Sequence, residues 1–565
     1  MESIWITALI VLVGGFLLKN IVDQKPGAWL PFIAALAIGG LVSLLQVTGW
    51  LEGAVSFTLG REVYVLFQFA AHPYSRLVAF GIIVSGTVAV LFGSQQARSL
   101  DQALSICAIV CAVGVSYAAD FITLFFFWEM VTVFTAGMIF CNTKHPDDCP
   151  VFPLGLRYLI IHLTGGLFLL FGVMQHFIQT GSFMITRPEA GLIFFFLGIG
   201  IKAAFIPFHV WVLWGYPNAS LFSSVVLAGL STKIGVYAAV RILPPMDLIV
   251  VMGVGMALVG IFSALGQKNL RKLLSYSLVS QVGFIMTGIG LGSYLSLDGG
   301  LFHMINHMFY KSLLFMCAGT VFYCIGTEEM DELADDDSKY EEKPGDPEKK
   351  PVWKLVPVAF MGVLVGSLTA AGVPPFGGYV SKYLLKAAFE GVEPVATALT
   401  AASVGTIIVL SKLVYYGFIK ARGKMVKPPS LSMKTAICIA LSFCLVLGIW
   451  PEIMSSLLPF GTVLNVYTAD GIRNALMMFF VGIIIFVSLT GVLQSPKTVS
   501  LFERLSIEQL VFRKAAPFCN RIGNRVWRVL EEKGVPSYKR MAEYLIVTLV
   551  LFLVVIVFFY ARRVP

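Results

Sequence analysis

Residues 198–241 read GIGIKAAFIPFHVWVLWGYPNASLFSSVVLAGLSTKIGVYAAVR. Lys202 and Lys233 stand inside apolar runs long enough to cross a bilayer. A charged side chain at that depth costs roughly 2.5–3.5 kcal/mol on insertion scales, so a chain that keeps one generally uses it. Pro207 follows Lys202 closely. Proline removes a backbone donor and clashes with the carbonyl four residues back, so the spacing predicts a helix break there. Broken helices inside a membrane are tolerated where protein or water receives the freed carbonyls. Lysine beside a break reads as a hydrated ion site at mid-membrane. The plainer alternative is a lysine snorkelling from a helix end beside an ordinary kink. Apolar neighbours on both sides of Lys202 weigh against it.

The rest of the chain supports a membrane setting. Of 565 residues, 57% are hydrophobic and only 13% charged. The mean hydropathy is +0.84. Such a composition specifies a polytopic membrane protein, all-α in class. The net charge of +9 does not point to nucleic acid, because the basic residues fall mainly in short loops and one C-terminal segment. Nine cysteines are scattered, with no CxxC and no Cys/His ligand spacing. No metal, cofactor or disulfide framework is therefore expected. A bridge between Cys141 and Cys149 stays open.

About sixteen segments have the length that a ~30 Å hydrocarbon core requires. They are 3–18, 29–48, 76–93, 103–118, 120–140, 156–178, 191–214 (broken), 219–240, 248–265, 273–292, 299–325, 355–373, 395–419, 433–450, 471–493 and 542–561. The first is read as a transmembrane helix rather than a removed signal. The stretch 374–390 is too polar and proline-rich for a full span and reads as re-entrant or interfacial. Residues 327–354 are acidic and read as a flexible solvated loop. Within basic 494–541, Phe518, Ile522, Val526, Val529 and Leu530 share one helical face, the pattern of a surface-lying amphipathic segment. Four regions follow: N-terminal helices (1–102), a core (103–425), C-terminal helices (426–493), and the lateral segment with a final span (494–565). With the N-terminus outside, most basic loop residues fall inside, including Gln95–Asp101, Gln267–Lys272 and Lys420–Lys427. This predicts a multi-pass protein of the cell membrane with its basic loops and 494–541 on the cytoplasmic side.

Further polar residues stand within the spans. Glu129 lies midway along FITLFFFWEMVTVFTAGMIF. A lone buried carboxylate protonates, whereas one beside a lysine can stay charged. His303, His307 and Lys311 follow one another at i, i+4 steps, lining one helix face over about 12 Å. Spaced titratable groups on one face suit a proton wire, and histidine relays protons near neutral pH. Each has a plainer role as a satisfied core residue. His162 is a lone histidine with both readings open. Lys412 either belongs to the path or snorkels inward, and Lys382 either belongs to it or is interfacial.

Six motifs together give a family resemblance. They are FFFWEM around Glu129, GIKAAFIPFHVW around Lys202, LAGLSTKIGVYAAVR around Lys233, NLRKLLSYSLVSQVGF (269–284), HMINHMFYKSLLF (303–315) and GVPPFGGYVSK (372–382). Over about residues 110–420 the chain resembles the antiporter-like membrane subunits shared by respiratory complex I, Mrp-type sodium/proton antiporters and membrane-bound hydrogenases. The resemblance implies a coupled pair, Glu129 and Lys202. It implies lateral proton transfer through Lys233, His303, His307 and Lys311, and a connection to the far side from a second broken helix, where Lys412 takes the corresponding place. It also implies other membrane subunits as partners, protons as the transported ion with sodium exchange as a further option, and no catalytic centre in this chain. Two departures stand out. The family's WLPxAHPxAP is here WVLWGYPNAS, and no proline marks a break near Lys412. The alternatives are a stand-alone secondary transporter for a small solute and a membrane subunit with a purely structural role. The file of titratable groups, rather than a substrate pocket, weighs against the first, and retention of all the motif residues against the second.

Overall fold

The computed structural model describes residues 67–140, 151–334, 349–462 and 465–493, with a few positions before 60 and between 495 and 502. The expected spans 3–18 and 542–561, most of 29–48, the amphipathic face Phe518–Leu530, and Cys141 and Cys149 lie outside the described residues.

In chain order the helices are α1 (Pro73–Gly93), α2 (Ser99–Tyr117), α3 (Phe121–Phe140), α4 (Val151–Thr180), α5 (Leu192–Lys202), α6 (Val210–Gly215), α7 (Leu221–Ile242), α8 (Asp247–Leu265), α9 (Leu270–Leu291), α10 (Tyr294–Ile325), α11 (Pro357–Ala371), α12 (Gly377–Ala388), α13 (Glu393–Val414), α14 (Leu431–Ile449) and α15 (Ala469–Leu493). Among the described residues, eleven helices are long and apolar enough to cross a membrane, and α5 and α11 are shorter apolar helices. Each remaining expected span coincides with one of these. Strand structure is confined here to two small antiparallel ladders, Ser56–Leu59 with Phe67–Ala70 and Lys350–Pro351 with Arg422–Gly423.

Short connections make successive helices antiparallel, which sorts the loops into two ends. At the basic end, Leu270 N–H bonds Glu328 O at 3.0 Å and Val426 N–H bonds Cys324 O at 2.7 Å. At the opposite end, Ile185 N–H bonds Ala119 O at 3.1 Å, and Thr462 N–H bonds the Asp298 carboxylate at 3.0 Å. Ser220, Asn269, Ser293 and Ser430 cap α7, α9, α10 and α14 by accepting a backbone N–H with their side chains. Such caps satisfy donors that a helix start leaves orphaned.

Helices α7, α9 and α10 form the interior. The most apolar stretch of α9 is entirely buried, against 17% for that of α15. Close backbone approach packs α8 on α9. A Cβ at Gly260 would meet Ser280 N at 2.6 Å, and one at Gly283 would meet Ala257 N at 2.5 Å. Small residues at helix contacts are the usual means of association in lipid, where apolar burial drives nothing.

Two expectations need correction. The segment 374–390 is neither re-entrant nor interfacial. Gly372, at φ 80°, ends α11, and α12 then continues toward the opposite end, packed on α10 and α14. Together α11 and α12 form one broken span. Nor is all of 327–354 a free loop. Arg271, fully buried, donates to both carboxylate oxygens of Glu328 (2.5 and 2.9 Å) and to Ala219 O at 3.0 Å. Asn269 reaches Glu329 at 2.6 Å and Lys268 reaches Asp331 at 2.6 Å. The acids at the start of this stretch neutralise basic residues opening α9, which fixes 327–334.

Candidate ion-translocation path

The first helix break follows from its chemistry. Pro207 supplies no N–H and excludes the carbonyl four residues back, at Ala203. Helix α5 stops at Lys202, and Ala204 takes a left-handed φ of 63°. The freed Ile201 carbonyl accepts the Trp211 indole N–H at 2.8 Å, and Gly200 O accepts Phe205 N–H at 2.8 Å. The break therefore sits at the lysine.

Glu129 on α3 and Lys202 on α5 are both buried, 2% and 1% exposed. The Lys202 ammonium donates to Thr132 Oγ1 at 2.6 Å and stands 5.1 Å from the Trp128 ring centroid. The Glu129 oxygens make no hydrogen bond among the described residues. They face Gly166 of α4, where any Cβ would collide with Oε1. The two charges interact electrostatically without bonding each other.

Beyond the pair lies a second polar group. Tyr158 O–H donates to Thr135 Oγ1 at 3.0 Å. His162 lies between Tyr158 and Trp211, at ring-centroid distances of 4.4 and 4.5 Å. Neither of its nitrogens finds a hydrogen-bond partner among the described residues. Lys233, buried on α7, bonds the Ala228 carbonyl of its own helix.

The α10 row is fully buried. Lys311 donates to Ser277 Oγ at 2.8 Å. His307 stands edge-on to Tyr310 at 5.3 Å, and its ring nitrogens make no hydrogen bond among the described residues. His303 joins Ser381 Oγ at 2.9 Å and Gln281 Oε1 at 3.2 Å. Gln281 Oε1 also receives Tyr310 O–H at 3.4 Å, and its amide donates to Thr406 at 3.0 Å. Gln281 is thus a hub that sequence reading misses, because an amide within a helix carries no spacing signal.

At the second break, Lys382 donates to the freed Ala370 carbonyl at 2.8 Å and lies 5.0 Å from the Phe284 ring centroid. It lines a cavity of about 680 Å³ between α12, α13 and α15. Lys412 is not on a broken helix. It lies on continuous α13, just before a π-helical turn at Tyr415–Ile419, and donates to Leu265 O at 2.7 Å near the basic end. The structure thus brings Glu129 toward Lys202 and joins His303 to the second broken span, while Lys412 stands apart. The sequence signal for Lys382 is its position soon after Pro374–Pro375.

Residues 118–409, slightly more than half of the chain, match the NADH:quinone oxidoreductase/Mrp antiporter transmembrane family. The chain belongs to this family. The matched stretch of this antiporter-family member contains both broken spans and the α10 row. It is 26% identical over 396 residues to a Na(+)/H(+) antiporter subunit of Alkalihalophilus pseudofirmus, covering 62% of this chain and 46% of the relative. It is 27% identical over 376 residues to the chloroplastic NAD(P)H-quinone oxidoreductase subunit 5 of Aethionema grandiflorum, covering 60% and 48%. The chain thus aligns with about half the length of these two relatives. An uncharacterized protein of Methanocaldococcus jannaschii is 25% identical over 460 residues, covering 76% of this chain and 89% of its own. The fold is shared with solved complexes. One chain of the Mrp complex from Dietzia superposes with a TM-score of 0.71 at 19% identity, covering 94% of this chain and 62% of that one. One chain of an archaeal membrane-bound sulfane sulfur reductase superposes at 0.70 and 18%, covering 85% and 99%.

Proposed function

We propose that the chain is a proton-translocating subunit of a multisubunit membrane complex, with sodium as a second candidate ion. The observation that carries this reading is the series of buried titratable side chains at the two helix breaks and between them. Glu129 and Lys202 stand buried at the first break, Lys233, Lys311, His307 and His303 buried between, and half-buried Lys382 at the second. Burying so many ionisable groups in a membrane is costly, and they mark ion pathways by default. Serine, threonine, tyrosine and glutamine side chains lie along the series. They supply the donors and acceptors that a hydrated proton path needs.

In this reading Lys382 and its cavity connect the file to the end opposite the basic loops. Lys412, close to Lys268 and Asp331, serves the basic end. By the positive-inside rule that end faces the cytoplasm, in a protein that this reading assigns to the cell membrane. The partners are other membrane subunits, as in the complexes to which its relatives belong, and the energy source resides in them.

The test is proton uptake by inverted vesicles carrying the assembled complex. Lys202→Ala, Glu129→Gln and Lys311→Ala each abolish or strongly slow uptake, with subunit stoichiometry unchanged. Wild-type uptake in all three variants refutes the reading.

A further inference from the structure

The pair at the first break contains a feature that ion pairing alone does not explain. Two acceptors for the same ammonium stand one turn apart on α3, the Glu129 carboxylate and the Thr132 hydroxyl. We propose that Thr132 is a positioning residue, a latch that holds the Lys202 ammonium off Glu129 and builds a separated arrangement of the pair into the fold. The inference rests on Glu129 and Lys202 being the ion-translocating groups proposed above.

The hydroxyl's own geometry supports the role. Thr132 Oγ1 points its hydrogen at the Trp128 carbonyl, 3.2 Å away, one turn back along α3. A hydroxyl has one hydrogen and two lone pairs. With the hydrogen so committed, the oxygen turns only acceptor capacity toward Lys202, which uses it at 2.6 Å. The Trp128 ring lies 5.1 Å from the same ammonium and presents a π face that attracts a cation. Residues 128 and 132 flank Glu129 on the same helix, so the cradle and the carboxylate share one rigid support.

The carboxylate has a matching recess. Glu129 turns to α4 at Gly166, and only a residue without a Cβ leaves room for Oε1. Both oxygens are buried and make no hydrogen bond among the described residues. The lysine thus stands at one station and the glutamate at another. The long, flexible lysine side chain is the part of the pair suited to move between them. A hydrogen bond to a charged group shifts such an equilibrium by roughly ten- to a hundredfold. Losing the latch therefore biases the ammonium toward the carboxylate, and the proton is retained there instead of being passed on.

Two substitutions separate this role from packing. Thr132→Val keeps the shape and loses the hydroxyl. Thr132→Ser keeps the hydroxyl and loses the methyl group. Each is introduced into the full chain and measured as proton uptake by the assembled complex in proteoliposomes, with Lys202→Ala as control. Thr132→Val is expected to slow uptake roughly tenfold or more, and Thr132→Ser to restore most of the rate. Wild-type uptake by Thr132→Val overturns the latch, and so does a loss in Thr132→Ser as large as that in Thr132→Val. If Lys202→Ala itself transports normally, the reading of the pair has failed, a result distinct from failure of the latch alone.

Discussion

The Trp211 indole donates to the Ile201 carbonyl across the first helix break, 2.8 Å away. Both residues are buried. The carbonyl has lost its place in the α-helical ladder and takes this side-chain donor beside a tighter-turn bond from Ala204 N–H at 3.2 Å. Trp211→Phe keeps most of the ring and removes the donor. The carbonyl keeps the Ala204 N–H, so the change removes one of its two hydrogen bonds, worth about 0.5–1.5 kcal/mol. The variant is expected to unfold at lower temperature in detergent, and to lose transport only to the extent that the break shifts. An unchanged melting temperature would show that the Ala204 N–H alone satisfies Ile201 and that the indole bond adds nothing to stability.

Gln281 ties together groups from three other elements, His303 and Tyr310 on α10, Thr406 on α13, and Ser381 of α12 through His303. Gln281→Leu fills similar space without polar atoms. It should slow proton uptake at least tenfold in an assembled complex, because the wire loses its junction between Lys311 and Lys382. Gln281→Glu retains the acceptor and should keep more activity than leucine. Equal activity of leucine and wild type in vesicle assays excludes Gln281 from the path.

Lys382 and Lys412 are expected to behave differently. Lys382→Ala should stop uptake. Lys382→Arg can still donate to Ala370 O, yet should not restore it, since arginine holds its proton at any accessible pH. Lys412→Ala should reduce uptake without abolishing it, as Lys412 bonds a carbonyl near the basic end rather than a member of the row. Rates of all three variants, normalised to assembled complex, decide the matter. The reverse ranking would reassign the far-side connection to Lys412.

The buried pair of Arg271 and Glu328 predicts a stability effect. Glu328→Gln leaves an uncompensated guanidinium, and breaking such a pair typically costs about 3–5 kcal/mol. The level of folded protein in the membrane should fall. Replacing both residues by apolar ones of similar volume should recover much of it. By contrast, shortening within 336–347 should leave folding and transport nearly unchanged, since closure depends weakly on loop length. Removing 328–334 as well should not be tolerated. Membrane abundance of each variant measures this.

Most helices are legible in the sequence because hydropathy and length report the bilayer directly. The first break is legible because Pro207 interrupts an otherwise apolar run. The second misleads for a physical reason. Tyr379, Ser381, Lys382 and Tyr383 make 374–390 polar, and polarity there imitates exposure to the interface. In fact α12 is polar because it adjoins the file, and Ser381 is fully buried on His303. The acidic stretch misleads in the same direction. Glu328 looks solvated, but its charge is matched by Arg271, distant in sequence. Likewise the family resemblance pairs Glu129 with Lys202, whereas nothing in the sequence marks the intervening Thr132. An ordinary threonine on an apolar helix carries no mark until the fold sets a lysine against it.

The uneven enclosure of the helices also governs what the surrounding lipid can influence. Helix α9 and the titratable row of α10 are walled in by protein on every side, while α15 presents Met477, Phe480, Val481, Ile484 and Val487 outward. Where lipid rather than a partner subunit covers these faces, acyl chains that thicken, thin or stiffen the bilayer press on α15 and on the outer face of α4, where Leu167, Phe171 and Ile178 are exposed. They do not touch the buried residues of α9 and the α10 row, whereas Lys382, half-buried in a cavity that Met477 and Val481 also line, is a member nearer the rim. The dielectric surroundings of those buried residues are therefore set by the polypeptide rather than by the host membrane. The same proton-conducting interior can be carried between membranes of different composition, with adaptation confined to the rim.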